Sequence, residues 1–402
     1  MSDFWSSYGE AAKTAVGFFW KAGWAFVLGY AISAMIQTFV PKKRLTRHMG
    51  SPSLQSISLA TAFGAISSSC SFAALAAARS LVLKGAHFVA AVAFMFASTN
   101  LVIELGILIL IFLGWQYLVA ELIGGVVLIA ISSALIRLTY PAPWLRAARE
   151  KVKQEAEDPD KDFDPWERIR SVDGWRMVGH RFVMEWKMVW HEILVGFTIA
   201  GFVKVIVPDS VWRAIFLTDM VVDNQPGFWI VLENALVGPF VAAATFIGSM
   251  GNIPLATVLA GSGTAFAGVM GFIYSDLMVP PLVRVNARYY GWRIALYIAA
   301  VMFVSIVCAA LLLHYGFGAF GLTPEVTVTT AESERQFAID YTFWFNIVFI
   351  VIAGLLVYLH RRHLKTHAIE QHGGDKGRIQ TTVTYAAIAI LLIGLMAFVA
   401  TE

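Results

Sequence analysis

The stretch "FGAISSSCSFAALAAARS", Phe63 to Ser80, decides how this chain folds. It lies in a long apolar run, yet Ser67, Ser68, Ser69 and Cys70 stand together inside it. Hydrocarbon offers such side chains no partner, so a lipid-facing helix has no use for four in a row. A helix interrupted at bilayer depth does, because hydroxyls and a thiol satisfy the backbone groups that the break sets free. The competing reading is close helix packing, which small residues also permit.

The surroundings are those of a membrane protein. Of 402 residues, 58% are apolar and 14% charged, and the mean hydropathy of +0.68 lies outside the range of soluble domains. Apolar windows long enough to cross a bilayer are Ala15–Val40, Trp115–Leu138, Trp186–Val207, Trp292–Leu313, Tyr341–Leu359 and Thr381–Ala400. Four half-length apolar pieces, Leu54–Ile66, Phe72–Leu83, Phe88–Ala97 and Leu101–Leu113, lie between the first two windows. The first window ends at Pro41 without a small-residue cleavage pattern, so it reads as a retained helix. With only Cys70 and Cys308, there is no disulfide framework and no zinc-type cysteine spacing. A formal net charge of +3 is too small to argue for nucleic acid. No cofactor and no metal are expected; the expected partners are a small solute, membrane lipid and, for the C-terminal helices, a second copy.

Basic residues gather at Lys42, Lys43, Arg44 and Arg47, between Arg146 and Arg181, and again at Arg361, Arg362, Lys365, Lys376 and Arg378. The positive-inside rule makes these segments cytoplasmic. The acid-bearing connections 208–228 and 314–340 then lie outside, as does the N-terminus, in a multi-pass protein of the cell (inner or plasma) membrane.

Two stretches read alike. "WKAGWAFVLGYAISAMIQTFVP", Trp20 to Pro41, and "WKMVWHEILVGFTIAGFVKVIVP", Trp186 to Pro208, share W-K-x-x-W, a Gly-aromatic step and a terminal Val-Pro. Downstream, Gly85 aligns with Gly263, Phe94 with Phe272, and the pair Gly114-Trp115 with Gly291-Trp292. The charges make the first copy enter from outside and the second from inside. The expectation is therefore an all-α polytopic membrane protein of about ten transmembrane segments, with two inverted-topology repeats containing broken or re-entrant helices. Its parts are residues 1–138 (first repeat), 139–185 (cytoplasmic linker), 186–313 (second repeat), 314–340 (extracytoplasmic loop) and 341–402 (two accessory helices).

In such proteins interrupted helices meet near the midplane and bind the solute there. The candidate substrate residues are Ser67, Ser68, Ser69 and Cys70 of the knot, Ser98, Thr99 and Asn100 of "ASTN", Asn252 of "GSMGNIP", and Ser275 and Asp276 of "YSDLMVPP". Pro254, Pro280 and Pro281 lack backbone donors and mark expected breaks. Because an ionisable group at bilayer depth faces a partner or a watery cavity, Asp276, Glu104 and Glu233 are proton-coupling candidates. Arg79 and Arg284 are candidate counter-charges. Glu121, Lys21, Lys187, Lys84 and His87 read as interface-reaching residues near helix ends, and Cys308 as a packed small hydrophobe. The acidic run at Asp158, Asp160, Asp162 and Asp164 lacks the glycine and glutamate of a calcium loop, and "HRRHLKTHAIEQH", from His360, reads as a membrane flank.

The order "GAISSSCSFAALAAARSLVLKGAHFVAAVAFMFASTNLVIELG…GW", with its echo "GSMGNIPLATVLAGSGTAFAGVMGFIYSDLMVPPLV…GW", resembles the predicted-permease family that includes the ArsP-type organoarsenical efflux permeases. The resemblance covers roughly Ser53–Leu313. It implies export of trivalent organoarsenicals, with cysteine recognising the soft arsenic atom. Many relatives carry Cys-x-Cys at the knot, whereas this chain has Ser68 and Cys70. The function expected is a secondary-active permease exporting a small soft-metalloid solute by alternating access, with proton coupling admitted. The alternatives are a permease for an inorganic ion or transition metal and, more remotely, a membrane-embedded enzyme, for which no nucleophile–base spacing is present.

Overall fold

The structure, a computed structural model, describes residues 2–39, 49–67, 71–83, 85–139, 165–220, 226–245, 249–324, 337, 341–366 and 378–401. Among them all regular structure is helical. A long α1 (Ser2–Phe39) is followed by four short helices, α2 (Leu54–Ser67), α3 (Ser71–Leu83), α4 (Phe88–Asn100) and α5 (Ile103–Phe112), and by the long α6 (Trp115–Thr139). A short α7 (Pro165–Arg170) leads into α8 (Val172–Ile206). After it come α9 (Asp209–Ile215), α10 (Phe228–Thr245), α11 (Ser249–Gly261), α12 (Phe266–Ile273), a 3-10 turn at Asp276–Met278, α13 (Pro280–Tyr290) and the long α14 (Trp292–Ala319). Helices α15 (Tyr341–Thr366) and α16 (Arg378–Thr401) follow.

Five helices are long and apolar enough to cross a membrane, within Phe4–Phe39, Trp115–Thr139, Phe228–Thr245, Trp292–Ala319 and Tyr341–Lys365. Helices α4 and α5 make a sixth candidate if the pair, bent by 41° at its break, is one span. Two of the windows expected from sequence, Trp186–Val207 and Thr381–Ala400, appear among shorter apolar helices, Ile193–Ile206 and Thr382–Phe398. Conversely, Phe228–Thr245 qualifies although the sequence reading had not singled it out.

The long helices overshoot the apolar windows. With 38 residues, α1 is about 57 Å long against a hydrocarbon core of about 30 Å. Helix α8 begins at Val172, well before the apolar window, because Ser171 caps it by accepting the Gly174 N–H at 2.9 Å. Helices α1 and α8 pack along each other, as do α6 and α14.

The two most enclosed elements are short. Every residue of α4 and every residue of α12 is buried, as expected for helices apolar on all sides. Each is preceded by a left-handed glycine, Gly85 (φ 98°) and Gly263 (φ 88°), and each long helix that follows starts after another, Gly114 (φ 95°) and Gly291 (φ 88°). Only glycine takes these angles without strain. Helix α2 lies on α4 through Gly64, where a Cβ would overlap the Phe94 carbonyl, and α10 lies on α12 through Gly238, where it would overlap the Gly268 carbonyl.

Proline placement needed correction. Pro280 and Pro281 start α13, their lost N–H groups falling where a helix has no internal acceptor, but Pro254 lies inside α11 without ending it. At the sixth residue of the helix it removes one internal hydrogen bond and the helix runs on past it. Cys308 is exposed on α14 rather than packed inward. The acidic run from Asp158 to Asp164 lies outside the described residues.

Helices α15 and α16 attach to α1 and α8. Asn346 donates to the Trp20 carbonyl at 2.7 Å, and Gly179 lets the α15 backbone at Leu356 and His360 approach α8. Phe345, Ile350, Val351 and Leu355 of α15 stay exposed, as on a lipid-facing surface.

Candidate functional site

A residue beside the serine-cysteine knot meets the interruption at Asp276 inside the protein. Ser71, the first residue of α3 and the neighbour of Cys70, donates from Oγ to Asp276 Oδ2 at 2.9 Å. Both residues are buried, Asp276 completely. Asp276 opens the 3-10 turn between α12 and α13, and the prolines that follow keep helix from running through it. The carboxylate is thus carried by a break in the helix rather than by a helix face. Its other oxygen, Oδ1, is buried without a hydrogen-bond partner.

Glu121 of α6 joins this place, against expectation. It is 1% exposed. Tyr274, two residues before Asp276, donates its hydroxyl to the carbonyls of Ala120 at 2.9 Å and Glu121 at 3.2 Å. Gly124, one turn on, leaves the room that this hydroxyl occupies. Since α6 starts at Trp115, Glu121 sits nearly two turns into the helix and is buried inside the protein rather than reaching outward from a helix end.

The remaining polar candidates are buried and largely satisfied within their own segments. Ser98 donates to the Met95 carbonyl at 3.0 Å, Thr99 to Phe96 at 3.3 Å, and Asn100 Nδ2 to Phe96 at 3.1 Å. Ser275 donates to the Gly271 carbonyl, and Asn252 Oδ1 accepts from Thr245 at 3.3 Å. What these bonds leave over are Asn100 Oδ1 and Asn252 Nδ2, both buried and without a hydrogen-bond partner. Ser68, Ser69 and Cys70 lie outside the described residues.

A second polar node lies between α1 and α8. Glu185 Oε1 accepts from Ser33 Oγ at 3.0 Å and from Gln37 Nε2. Gln37 Nε2 also donates to the Ser67 carbonyl at 3.2 Å, at the last residue of α2, and its Oε1 accepts from Arg181 at 3.4 Å. Glu104, 1% exposed, packs against Gly29 of α1 so closely that a Cβ there would overlap it. Sequence reasoning missed Glu185, Ser33 and Gln37. Glu185 directly precedes the apolar window and reads as its flank; Ser33 and Gln37, four apart on one helix face, were the available signal.

Glu233 belongs to a different place. Its Oε2 accepts from Asn234 at 2.7 Å near the start of α10, and no described hydrogen bond or ion pair links it to Asp276. Asn234 itself is fully buried: Nδ2 donates to the Phe216 carbonyl at 2.6 Å and Oδ1 accepts the Ala265 N–H at 2.9 Å, fixing the turn that starts α12. Of the proposed counter-charges, Arg284 is exposed and Arg79 has its guanidinium 4.7 Å from the Tyr289 ring centre.

Among the described residues no group of three or more His, Cys, Asp or Glu side chains is arranged to hold a metal ion. His180 of α8 does meet the α15 flank, its Nδ1 lying 3.2 Å from that of His360 and its ring 4.8 Å from that of His363. Those imidazoles serve the docking of α15.

A family profile described as a predicted permease, of the ArsP type, matches residues 7–315, from α1 into α14. A relative from Mycobacterium tuberculosis (strain ATCC 25618 / H37Rv), described as "Putative permease Rv2963", is 38% identical over 332 residues, which is 79% of this chain and 79% of the relative. No solved structure gives a significant match.

Proposed function

This chain belongs to the predicted-permease family, and on that premise we propose that it is a secondary-active, proton-coupled exporter of a small soft-metalloid solute resembling a trivalent organoarsenical. The observation that carries the coupling is the buried hydrogen bond from Ser71 to Asp276. It joins the first described residue after the serine-cysteine knot to the turn between α12 and α13. A carboxylate at such a seam, with one oxygen unmet, can take a proton when the seam opens to one side and lose it when the seam opens to the other.

The architecture we propose is the inverted repeat. Its support is the matching series of long and short helices, the left-handed glycines Gly85 and Gly263, Gly114 and Gly291 at aligned positions, and the two glycine contacts of Gly64 and Gly238. In this reading α4 and α12 are the half-helices whose ends line the solute path, with Asn100 Oδ1 and Asp276 Oδ1 turned to the cargo. Helices α15 and α16 are accessory, and the N-terminus is extracytoplasmic in the cell membrane.

The cargo class rests on Cys70, which adjoins Ser71 in sequence. A single thiolate ligates a soft centre weakly enough to release it, which suits export. In cells lacking other exporters, expression of this chain should lower accumulation of methylated trivalent arsenic, and Cys70→Ser should cancel the protection. Protection that survives this substitution would remove the thiol from the mechanism.

A further inference from the structure

The end of α2 and the start of α3 are each bonded into a network that contains a carboxylate from farther along the chain. Ser71, where α3 starts, donates to Asp276 at 2.9 Å. The Ser67 carbonyl, on the last residue of α2, accepts from Gln37 Nε2 at 3.2 Å and from Ser33 Oγ at 3.5 Å. These two donors are shared. Ser33 Oγ also donates to Glu185 Oε1 at 3.0 Å, and Gln37 Nε2 donates to the same oxygen. Arg181 orients the Gln37 amide by donating to its Oε1 at 3.4 Å. Ser33 is fully buried, and Glu185 Oε2 is buried without a hydrogen-bond partner.

A hydroxyl has one hydrogen to give and an amide NH₂ two, so Glu185 and the Ser67 carbonyl compete for the same small set of donors. An ionised carboxylate makes the stronger hydrogen bonds and draws those donors to itself; a protonated one accepts weakly and leaves more of them to the carbonyl. The place for the proton is Oε2, the carboxylate oxygen without a partner. A metal ion does not suit this node, because Oε1 already faces N–H and O–H groups, which repel a cation, and calcium and magnesium take about six oxygens or more. The charged and titratable groups around it are Arg181 and Lys187 on α8 itself, Tyr30 of α1, and Glu104 of α5, which packs on Gly29 one turn before Ser33. Arg168 of α7 donates to the Thr38 carbonyl at 3.5 Å, and His360 and His363 of α15 meet α8 at His180. Helices α2 and α11 contribute none, and α16 carries Arg378 and Tyr385.

We propose that Glu185 is a second proton-binding residue of this protein, separate from Asp276, and that its protonation tightens the hold of Ser33 and Gln37 on the end of α2. With the proton on Oε2, the α2 terminus is anchored to α1; with the proton gone, Glu185 takes the donors and the last turn of α2 frays more readily. Glu185 is thus a positioning residue, acting through Ser33 and Gln37. The two bonded ends answer a proton in opposite senses, since protonation weakens the Ser71–Asp276 bond and strengthens the hold on Ser67. The inference goes beyond the exporter reading and uses it only in the transport arm of the test.

The test is hydrogen exchange, read by mass spectrometry on peptides covering the last turn of α2, in the full chain in lipid nanodiscs over a series of pH values and corrected for intrinsic exchange rates. In the parent, exchange there should rise about fivefold as pH rises through the Glu185 midpoint. Glu185→Gln, which mimics the neutral acid, should hold the slow rate at every pH, and Gln37→Leu the fast rate at every pH. Glu185→Asp should restore the dependence and guards against a failure of the amide variant to fold, while Asp276→Asn should leave the α2 response in place. A parent whose α2 exchange ignores pH, or a response that persists in Glu185→Gln or vanishes in Asp276→Asn, overturns the proposal. Efflux of methylated trivalent arsenic under an imposed pH gradient separates the two ideas. If the parent moves no arsenical while α2 responds, the exporter reading fails and the proton site stands; if efflux is gradient-driven and α2 does not respond, the proton site alone fails.

Discussion

Ser71 and Asp276, 205 residues apart in sequence, are bonded at 2.9 Å in the buried interior. The bond is charge-assisted whenever Asp276 is ionised, which places it among the stronger hydrogen bonds of a protein.

Removing the donor should therefore be felt in stability. Ser71→Ala is expected to lower unfolding free energy by about 1.5–3 kcal/mol, read as a fall in melting temperature in detergent. Asp276→Asn keeps the shape and an acceptor, so it should remain folded and bind solute, while transport driven by a pH gradient disappears. Unaltered pH-driven transport in Asp276→Asn would reject its coupling role.

The contact between Gly29 and Glu104 admits no added atom. A Cβ at residue 29 would overlap the Glu104 side chain near its root, where little rotamer freedom exists. Gly29→Ala should cost about 1–3 kcal/mol, and much of that should return when Glu104→Ala is added. A double-mutant cycle in thermal unfolding checks this; additive losses would mean that the strain lies elsewhere.

Asn234 is a strut rather than a transport residue. Its amide serves both the Phe216 carbonyl and the Ala265 N–H, so Asn234→Ala strands two buried backbone groups at about 1–3 kcal/mol each. Asn234→Asp keeps the acceptor for Ala265 but turns a buried carboxylate oxygen on the Phe216 carbonyl and the Glu233 carboxylate, so it should be at least as damaging as alanine. An aspartate variant as stable as the parent would show that the amide N–H contributes nothing.

Left-handed glycines offer a test free of crowding. Nothing lies within 4 Å of a Cβ added at Gly291, whose φ is 88°, so Gly291→Ala isolates backbone strain. It should destabilise by about 1–2 kcal/mol. Gly316, also uncrowded but inside α14, should instead gain about 0.5–1 kcal/mol as Ala. Melting temperatures moving in the same direction for both would contradict these conformations.

Much of the fold was legible because its signals are local. The short helices α2 to α5 fall on the four half-length apolar pieces, and Pro280 and Pro281 mark the start of α13. The aligned glycines could be read as equivalent before either had a φ angle. Pro254 misled because a missing backbone donor weakens a helix without having to end it.

For the candidate site, the chemistry of single residues was readable and their company was not. Composition and hydropathy alone determine that the chain is helical and built for a membrane, since a bilayer imposes one backbone solution on any long apolar segment. That Asp276 is interrupted, buried and polar-flanked also follows from its neighbours in the chain. Only the tertiary structure decided that Tyr274, just before Asp276, bonds the Glu121 carbonyl of α6, that Glu185 takes Ser33 and Gln37 as partners, and that Glu233 is bonded by Asn234 near the start of α10. The reason is physical: periodicity reports which residues leave water, but electrostatic partnership depends on the rotation and depth at which separate helices pack, and glycine contacts such as Gly124 with Tyr274 set those only once the helices meet.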